Sequence, residues 1–136
     1  MRNKIIELYR KISIFEIINI VLFLIINVFL NPTYDVYDDQ TIAYIAMGVY
    51  GERNFHLVFV NALLGKVLVL LFSLFPGLNW HVVLYEVLMF IAITMLINMF
   101  EKKCTKKFHA FPIILIIYIF AASYYYYVQF SKCAGI

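Results

Sequence analysis

Residues 80–100 read WHVVLYEVLMFIAITMLINMF, an apolar run of 21 residues that carries His81 and Glu86 in its first two turns. At about 1.5 Å rise per residue, a helix of this length matches the roughly 30 Å hydrocarbon core of a bilayer. The run therefore predicts a transmembrane helix.

Three further apolar runs flank this one, at residues 12–30, 57–75 and 110–130. Of the 136 residues in the chain, 65% are hydrophobic and 14% are charged, against about 45–50% and about 25% in soluble domains. A soluble domain of this size could not bury so much apolar surface. We expect an all-α fold that forms a single membrane domain over residues 1–136, embedded in a lipid bilayer.

Composition also excludes several other classes of protein. The net charge of +3 comes from two short Lys/Arg clusters, not a basic face, so we expect no nucleic-acid partner. The apolar fraction excludes disorder, and two cysteines are too few for a disulfide scaffold. The sequence contains no phosphate-binding Gly loop, no Cys/His set with metal-ligand spacing and no nucleophile elbow.

The first apolar run follows a basic N-terminus, a combination that also occurs in signal peptides. The run is longer than the usual apolar region of about 7–15 residues, and residues 31–34 offer no small-residue cleavage site. We expect a retained first transmembrane helix that ends at Pro32. Its basic end would lie in the cytoplasm, and the membrane would be a bacterial cytoplasmic membrane.

The most polar stretch of the chain, residues 31–56, follows this helix. Within it, Asp38 and Asp39 precede residues 41–47, a pattern that predicts a short helix with acids at its positive N-terminal end. Gly48, which follows directly, suits a turn.

The second basic cluster, residues 101–107, constrains the topology. If all four runs cross the membrane, this cluster lies outside, against the positive-inside rule. The conflict disappears if residues 57–75 lie along the outer surface, and Lys66 at the middle of a spanning helix would cost about 2.5–3.5 kcal/mol. We expect a polytopic protein with three transmembrane helices and interfacial helices in the first outer loop. The alternative has four crossings, with Lys66 in the bundle interior beside an acid such as Glu86.

The three-crossing topology places Cys104 inside and Cys133 outside, so these two thiols could not bond to each other. It also places residues 124–127, a run of four tyrosines, at the outer interface. Tyrosine is enriched at that depth, so the run predicts an aromatic belt.

Asp38 and Asp39, two adjacent carboxylates, are the most distinctive polar feature of the sequence. A carboxylate close to lipid can have its pKa raised enough to act as a general base. Together with Asp35, the two residues could instead hold a divalent cation. A third interpretation is a solvated loop whose acids cap a short helix. Neither a cofactor nor a metal site follows from spacing alone.

Three cationic or titratable side chains follow the acids. His56 could bind a metal or a phosphate, although a lone interfacial His commonly has a structural role. Arg53 and Lys66 could bind an anionic lipid headgroup, or could serve only as membrane anchors.

The order of several short stretches resembles the start of GT-C-fold membrane glycosyltransferases, and the likeness is to uncharacterised bacterial members of that group. The matching stretches are residues 38–39, 48–52, 56–61 with 65–66, 75–80 and 129–132. Together they cover roughly residues 12–136. Members of this group have many more crossings, so the resemblance implies that the chain is the N-terminal fragment of a longer protein.

The resemblance implies a function as well as a fold. Two helices in the first outer loop would lie along the membrane, and the donor would be a sugar on a polyprenyl phosphate. Asp38 or Asp39 would be the catalytic base, or a metal ligand as in some branches. The positions that would meet the donor phosphate or the substrate are Arg53, His56, Lys66 and Lys132. The remaining helices of the full-length chain would be partners.

Two other functions are compatible with the sequence. The chain could be a small non-catalytic integral membrane protein, such as an assembly partner or a transporter subunit. It could also be a lipid-binding or flippase component that uses the same cationic side chains without bond chemistry. An open reading frame that continues past codon 136 through further apolar runs would favour the enzyme, whereas a stop codon would favour the small protein.

Overall fold

The computed structural model describes residues 12–104, 107–129 and 131–132. The basic N-terminal cluster and Cys133 lie outside the described residues. The described chain is mostly helical, which confirms the all-α prediction in its general form. Its elements are α1 (Ile14–Ile25), a π-helical turn (Ile26–Leu30), β1 (Thr33–Tyr34), α2 (Tyr37–Met47), α3 (Ala62–Leu74), α4 (Trp80–Lys103), α5 (Lys107–Tyr126) and β2 (Tyr127–Val128).

Helix α4 contains the run on which the transmembrane prediction rests. It has 24 residues and is the one helix in the described chain that is both long and apolar enough to cross a membrane. Lys102 and Lys103 lie in its last turn, where cations are favoured by the negative end of the helix dipole.

The other three apolar runs form shorter apolar helices than the sequence predicts, namely Ile14–Leu30, Ala62–Leu74 and Ala110–Tyr126. Local hydrogen bonds explain where two of them begin. Ser13 and Glu16 form a capping box at the start of α1. Asn61 accepts a hydrogen bond from the Leu63 N–H at 2.9 Å, so α3 starts after Asn61.

The predicted ends of the first two helices are confirmed. The π-helical turn stops at Leu30, and Asn31 adopts a φ of 51° directly before Pro32. Asparagine tolerates this left-handed conformation better than most residues. Gly48 ends α2 with a φ of 82°, a conformation that glycine adopts without strain.

The described residues form two compact units. The first unit contains residues 12–31, 89–104 and 107–126, and the second contains residues 32–88, 127–129 and 131–132. Helix α4 contributes residues to both units.

A line of polar side chains joins the helices of the first unit. Asn19 donates to the Thr94 hydroxyl at 3.1 Å and accepts from the Tyr125 hydroxyl at 2.9 Å. One turn away, Asn98 donates to the carboxylate of Glu16. Such interhelical hydrogen bonds satisfy polar groups that would otherwise face an apolar environment. The aromatic-belt prediction is wrong for Tyr125, because this side chain is fully buried.

The core of the second unit lies between α2 and α3. It consists of the buried side chains of Ile42, Ala46, Leu57, Leu68 and Phe72. The chain that leads into α3 passes very close to this helix. A Cβ atom built on Gly65 would collide with the backbone oxygen of Phe55, so this position requires glycine.

The short strands β1 and β2 pair in parallel, with Thr33 opposite Tyr127 and Tyr34 opposite Val128. The Asp35 N–H extends the pairing by donating to the Val128 oxygen at 3.2 Å. This pairing explains why α5 ends at Tyr126, directly before β2.

Helix α3 lies in the segment for which the sequence predicts an interfacial position. Its 13 residues span only about 20 Å, less than a core of roughly 30 Å. Lys66 is exposed, and its ammonium lies 5.1 Å from the centroid of the Phe55 ring. This contact replaces the alternative ion pair with Glu86, which is a buried residue.

Candidate functional site around the first turn of α2

Asp38 and Asp39 occupy the first turn of α2, as the sequence predicts. The N-cap residue is Val36, and no side chain forms a capping hydrogen bond at this helix end. The capping interpretation of the two acids is therefore wrong. Their carboxylates still lie near the positive end of the helix dipole, which favours negative charge.

The two carboxylates differ sharply in exposure. Asp38 is exposed, whereas Asp39 is fully buried in the second unit. Because consecutive residues on a helix are about 100° apart, one acid can reach solvent while the next faces the core. Only Asp38 is open to a substrate from outside.

Asp38 lies at the edge of a mainly apolar pocket of about 140 Å³. The pocket is lined by Asp38, Thr41, Ile42, Ile45, Val58 and Phe59. Phe59 has a φ of 62°, which is rare for a bulky residue, and its side chain is 73% exposed. Backbone strain of this kind persists where the surrounding structure holds it and is concentrated at functional sites.

Asp39 is close to a partly buried polar cluster that the sequence does not predict. The Tyr34 hydroxyl donates to the Asn79 side chain at 3.0 Å, and the ring centroids of Tyr34 and His81 are 5.6 Å apart. Burial raises the pKa of the Tyr34 phenol to about 12, and the negative charge of Asp39 adds to the rise. The one available signal was the presence of His81 and Glu86 in an otherwise apolar run.

His81 is fully buried, and its ring also lies 4.5 Å from that of Tyr85, centroid to centroid. Neither ring nitrogen has a hydrogen-bond partner among the described residues. Buried polar groups are usually paired, so this residue is costly to the fold.

Arg53 has a structural role in the second unit. Its Nε donates to the Met47 oxygen at 3.2 Å, and its guanidinium donates to the Ser73 hydroxyl at 2.6 Å. These bonds connect the loop after α2 to the end of α3.

Lys132 is brought to Asp35, from which it is distant in sequence. The ammonium nitrogen lies 2.8 Å from a carboxylate oxygen of Asp35 and 5.4 Å from the centroid of the Tyr127 ring. The sequence does not predict this ion pair, because the two residues are far apart along the chain.

His56 and Lys66 are both exposed and share a contact with Phe55. The ring centroids of His56 and Phe55 are 4.2 Å apart, and the Lys66 ammonium lies above the same Phe55 ring. These two are therefore the candidate phosphate-binding residues that the structure brings together. Arg53 and Lys132 are engaged elsewhere in the second unit.

The cation interpretation of Asp35, Asp38 and Asp39 finds no support in the geometry. Asp35 pairs with Lys132, and the two neighbouring acids differ in burial. Within residues 12–104, 107–129 and 131–132, no group of three or more His, Cys, Asp or Glu side chains is placed to hold a metal ion.

Comparison with known proteins finds no matching family model, no matching curated sequence and no matching solved structure.

Proposed function

We propose that this chain is the N-terminal part of a GT-C-type membrane glycosyltransferase, which transfers a sugar from a polyprenyl-phosphate donor to an acceptor at the outer face. The observation that supports the proposal best is the exposed Asp38 carboxylate at the edge of an apolar pocket. Apolar side chains suit part of a lipid-linked donor, and the carboxylate supplies a proton acceptor beside it.

Asp38 is the better candidate for the base because it is exposed, whereas Asp39 is buried. In the proposed reaction, the acceptor oxygen forms a bond to the anomeric carbon of the donor sugar. The bond from that carbon to the phosphate oxygen breaks, and polyprenyl phosphate leaves. Asp38 takes the proton of the attacking hydroxyl, and Asp39 contributes negative charge from the core without touching the substrate.

The donor phosphate would be bound by His56 and Lys66. Both are exposed, and both contact the Phe55 ring. These contacts restrict the positions that the two side chains can adopt. Arg53 and Lys132 are weaker candidates because their bonds within the chain would have to be shared with the ligand.

The membrane arrangement is part of the same proposal. Helix α4 would cross the bilayer, together with α5 and with α1 as extended by the π-helical turn to Leu30. This gives three transmembrane helices with a cytoplasmic N-terminus in a bacterial cytoplasmic membrane. Helix α3 would lie in the outer interface, where exposed Lys66 can reach headgroups. Three crossings satisfy the positive-inside rule at both basic clusters.

The proposal is tested by measuring sugar transfer from a polyprenyl-phosphate donor with the full-length protein. General-base catalysis contributes about 10²–10⁴-fold, so Asp38→Asn should lower the rate by a factor in that range. Glu52→Gln is the matched control, because Glu52 is an exposed acid in the following loop. Near-normal transfer by Asp38→Asn would remove the catalytic assignment.

A second candidate, a small non-catalytic membrane protein, is favoured by one observation. Arg53 and Lys132 both bond within the second unit and need no ligand to explain them. Under this alternative, the protein is an assembly partner or a flippase component, and its charged residues stabilise the fold. No substitution would then affect transfer of a sugar.

A further inference from the structure

A second pocket borders the first turn of α2 and has a volume of about 250 Å³. It is lined by Tyr34, Asp35, Val36, Tyr37 and Gln40. Tyr37 and Gln40 are three residues apart and so share a face of the helix, whereas Asp38 and Thr41 lie on the neighbouring face beside the other pocket. The helix therefore has one mixed polar and aromatic pocket and one apolar pocket on adjacent sides.

Tyr37 provides an aromatic surface that is exposed and is not part of the core. The residue is 86% exposed, and its ring has no aromatic or cationic partner among the described residues. A single exposed tyrosine is ordinary on a protein surface. This one is distinguished by its place in a pocket that also contains a carboxylate and a primary amide.

The polar groups at the pocket can form hydrogen bonds with the neutral hydroxyl groups of a ligand. Asp35 is paired with Lys132 at 2.8 Å, and both side chains remain partly exposed, so the pair offers an acceptor and a donor side by side. Gln40 donates from Nε2 to the Tyr44 hydroxyl at 2.6 Å, which leaves its Oε1 as an acceptor.

The ion pair at the pocket and the volume of the pocket together limit the class of ligand that can bind. Lys132 offsets the charge of Asp35, so neither an isolated cation nor an isolated anion is strongly attracted. An alkyl chain would remove water from the ion pair without replacing its hydrogen bonds, which is costly. The volume is below the roughly 300–1,000 Å³ of pockets for drug-sized ligands, so one ring fits better than a longer molecule.

We infer that this pocket binds a single neutral sugar ring, with an apolar face of the ring on Tyr37 and its hydroxyls on Asp35 and Gln40. A pyranose has C–H groups on its faces and hydroxyls around its rim, which matches an aromatic surface bordered by donors and acceptors. The role of this sugar as the glycosyl acceptor rests on the proposed function. In that reaction, the acceptor sugar and the lipid-linked donor occupy adjacent sides of the turn that carries Asp38.

Sugar binding can be measured without any transfer reaction. The chain in lipid nanodiscs is titrated with methyl β-glucoside, methyl β-galactoside and methyl β-N-acetylglucosaminide, and saturation-transfer NMR reports which sugar protons approach the protein. At least one of the three should bind, with the strongest transfer to its ring C–H protons. Tyr37→Ala should raise the Kd of that sugar at least about tenfold, equivalent to about 1.4 kcal/mol, whereas Tyr37→Phe keeps the ring and should bind as the wild type does.

Phe75→Ala is the matched control, because Phe75 is an exposed ring outside the pocket. Tyr37 is too exposed for its truncation to disturb the core, and circular dichroism checks that the helices persist. The inference is overturned if none of the three sugars binds the folded wild type, or if Phe75→Ala weakens binding as much as Tyr37→Ala does.

Failure of the proposed function gives a different pattern of results. If Asp38→Asn transfers sugar normally but Tyr37→Ala loses sugar binding, the catalytic assignment falls and the sugar site stands. If transfer requires Asp38 but Tyr37→Ala leaves sugar binding and the acceptor KM unchanged, the proposed function stands and the sugar site is wrong.

Discussion

Tyr125 donates a hydrogen bond to Asn19 from 106 residues away in the sequence, and the two oxygen atoms are 2.9 Å apart. Both side chains are fully buried in the first unit. Since Asn19 also donates to Thr94, one amide is bonded to two other helices. The bonds of Asn19 therefore fix how α1, α4 and α5 pack within this unit.

The first prediction concerns this pair. Tyr125→Phe leaves the buried Asn19 oxygen without its donor and should lower the free energy of unfolding by about 1–3 kcal/mol. Combined with Asn19→Leu in a double-mutant cycle, the coupling should be near 0.6 kcal/mol, the average for such bonds in membranes. The measurement is unfolding by denaturing detergent in bicelles, with Tyr124→Phe as the control. A coupling of zero would contradict the role assigned to Asn19.

The second prediction concerns the close approach of Phe55 to α3. Gly65→Ala places a methyl group against the Phe55 backbone oxygen, which cannot move as a side chain would. We expect a loss of about 1–3 kcal/mol, typical of overpacking. Gly77→Ala is the matched control, since nothing lies within 4 Å of its added Cβ. Thermal unfolding in detergent compares the two variants, and an equal Tm would refute the packing argument.

The third prediction concerns alkaline pH. The phenol of Tyr34 has a pKa of about 12 in the folded chain, against about 10 in an unfolded one. Its contribution to stability is therefore complete below pH 10 and is lost as the pH rises from 10 to 12, because the unfolded state releases its proton first. The loss of stability over this window should be smaller in Tyr34→Phe than in the wild type.

Exposed Tyr50 provides the control for this measurement. Tyr50→Phe should follow the wild-type pH dependence of unfolding. If Tyr34→Phe and Tyr50→Phe give the same curve between pH 10 and pH 12, the environment assigned to Tyr34 is wrong.

The fourth prediction concerns the proposed topology. In a background with both native cysteines replaced by Ser, Gly77→Cys should react with a membrane-impermeant maleimide from outside intact cells. With Cys104 as the single cysteine, labelling should occur only after the cytoplasmic face is opened. Labelling of Cys104 from outside, or of Gly77→Cys from the cytoplasm alone, would contradict this topology and favour an odd number of crossings between the two basic clusters.

The local features of the fold could be predicted because they depend on neighbouring residues. The helical class, the end of α1 before Pro32, the first turn of α2 with its two acids and the stop at Gly48 all follow from short-range patterns. The sequence could not show that residues 57–61 precede α3 or that α5 ends at Tyr126. The end of α5 depends on β1, a strand partner that is distant in sequence.

The candidate site was predictable only as a set of residues. The sequence identifies Asp38 and Asp39 as candidates, but it does not show which of them is exposed, because exposure depends on how α2 is rotated against α3. The sequence also does not reveal the polar surroundings of Tyr34, since one of four tyrosines in a polar segment has no distinctive pattern.

By itself, the sequence determined that this chain is mostly helical and that one helix is long and apolar enough to cross a membrane, because composition and apolar run length depend on each residue alone. Only the tertiary structure decided which polar groups are buried and which are open to a ligand. It paired Asn19 with Tyr125 and Asp35 with Lys132, and it buried Asp39 while exposing Asp38. The physical reason is that a polar group removed from water needs a partner, and the chain supplies that partner from segments that are distant in sequence.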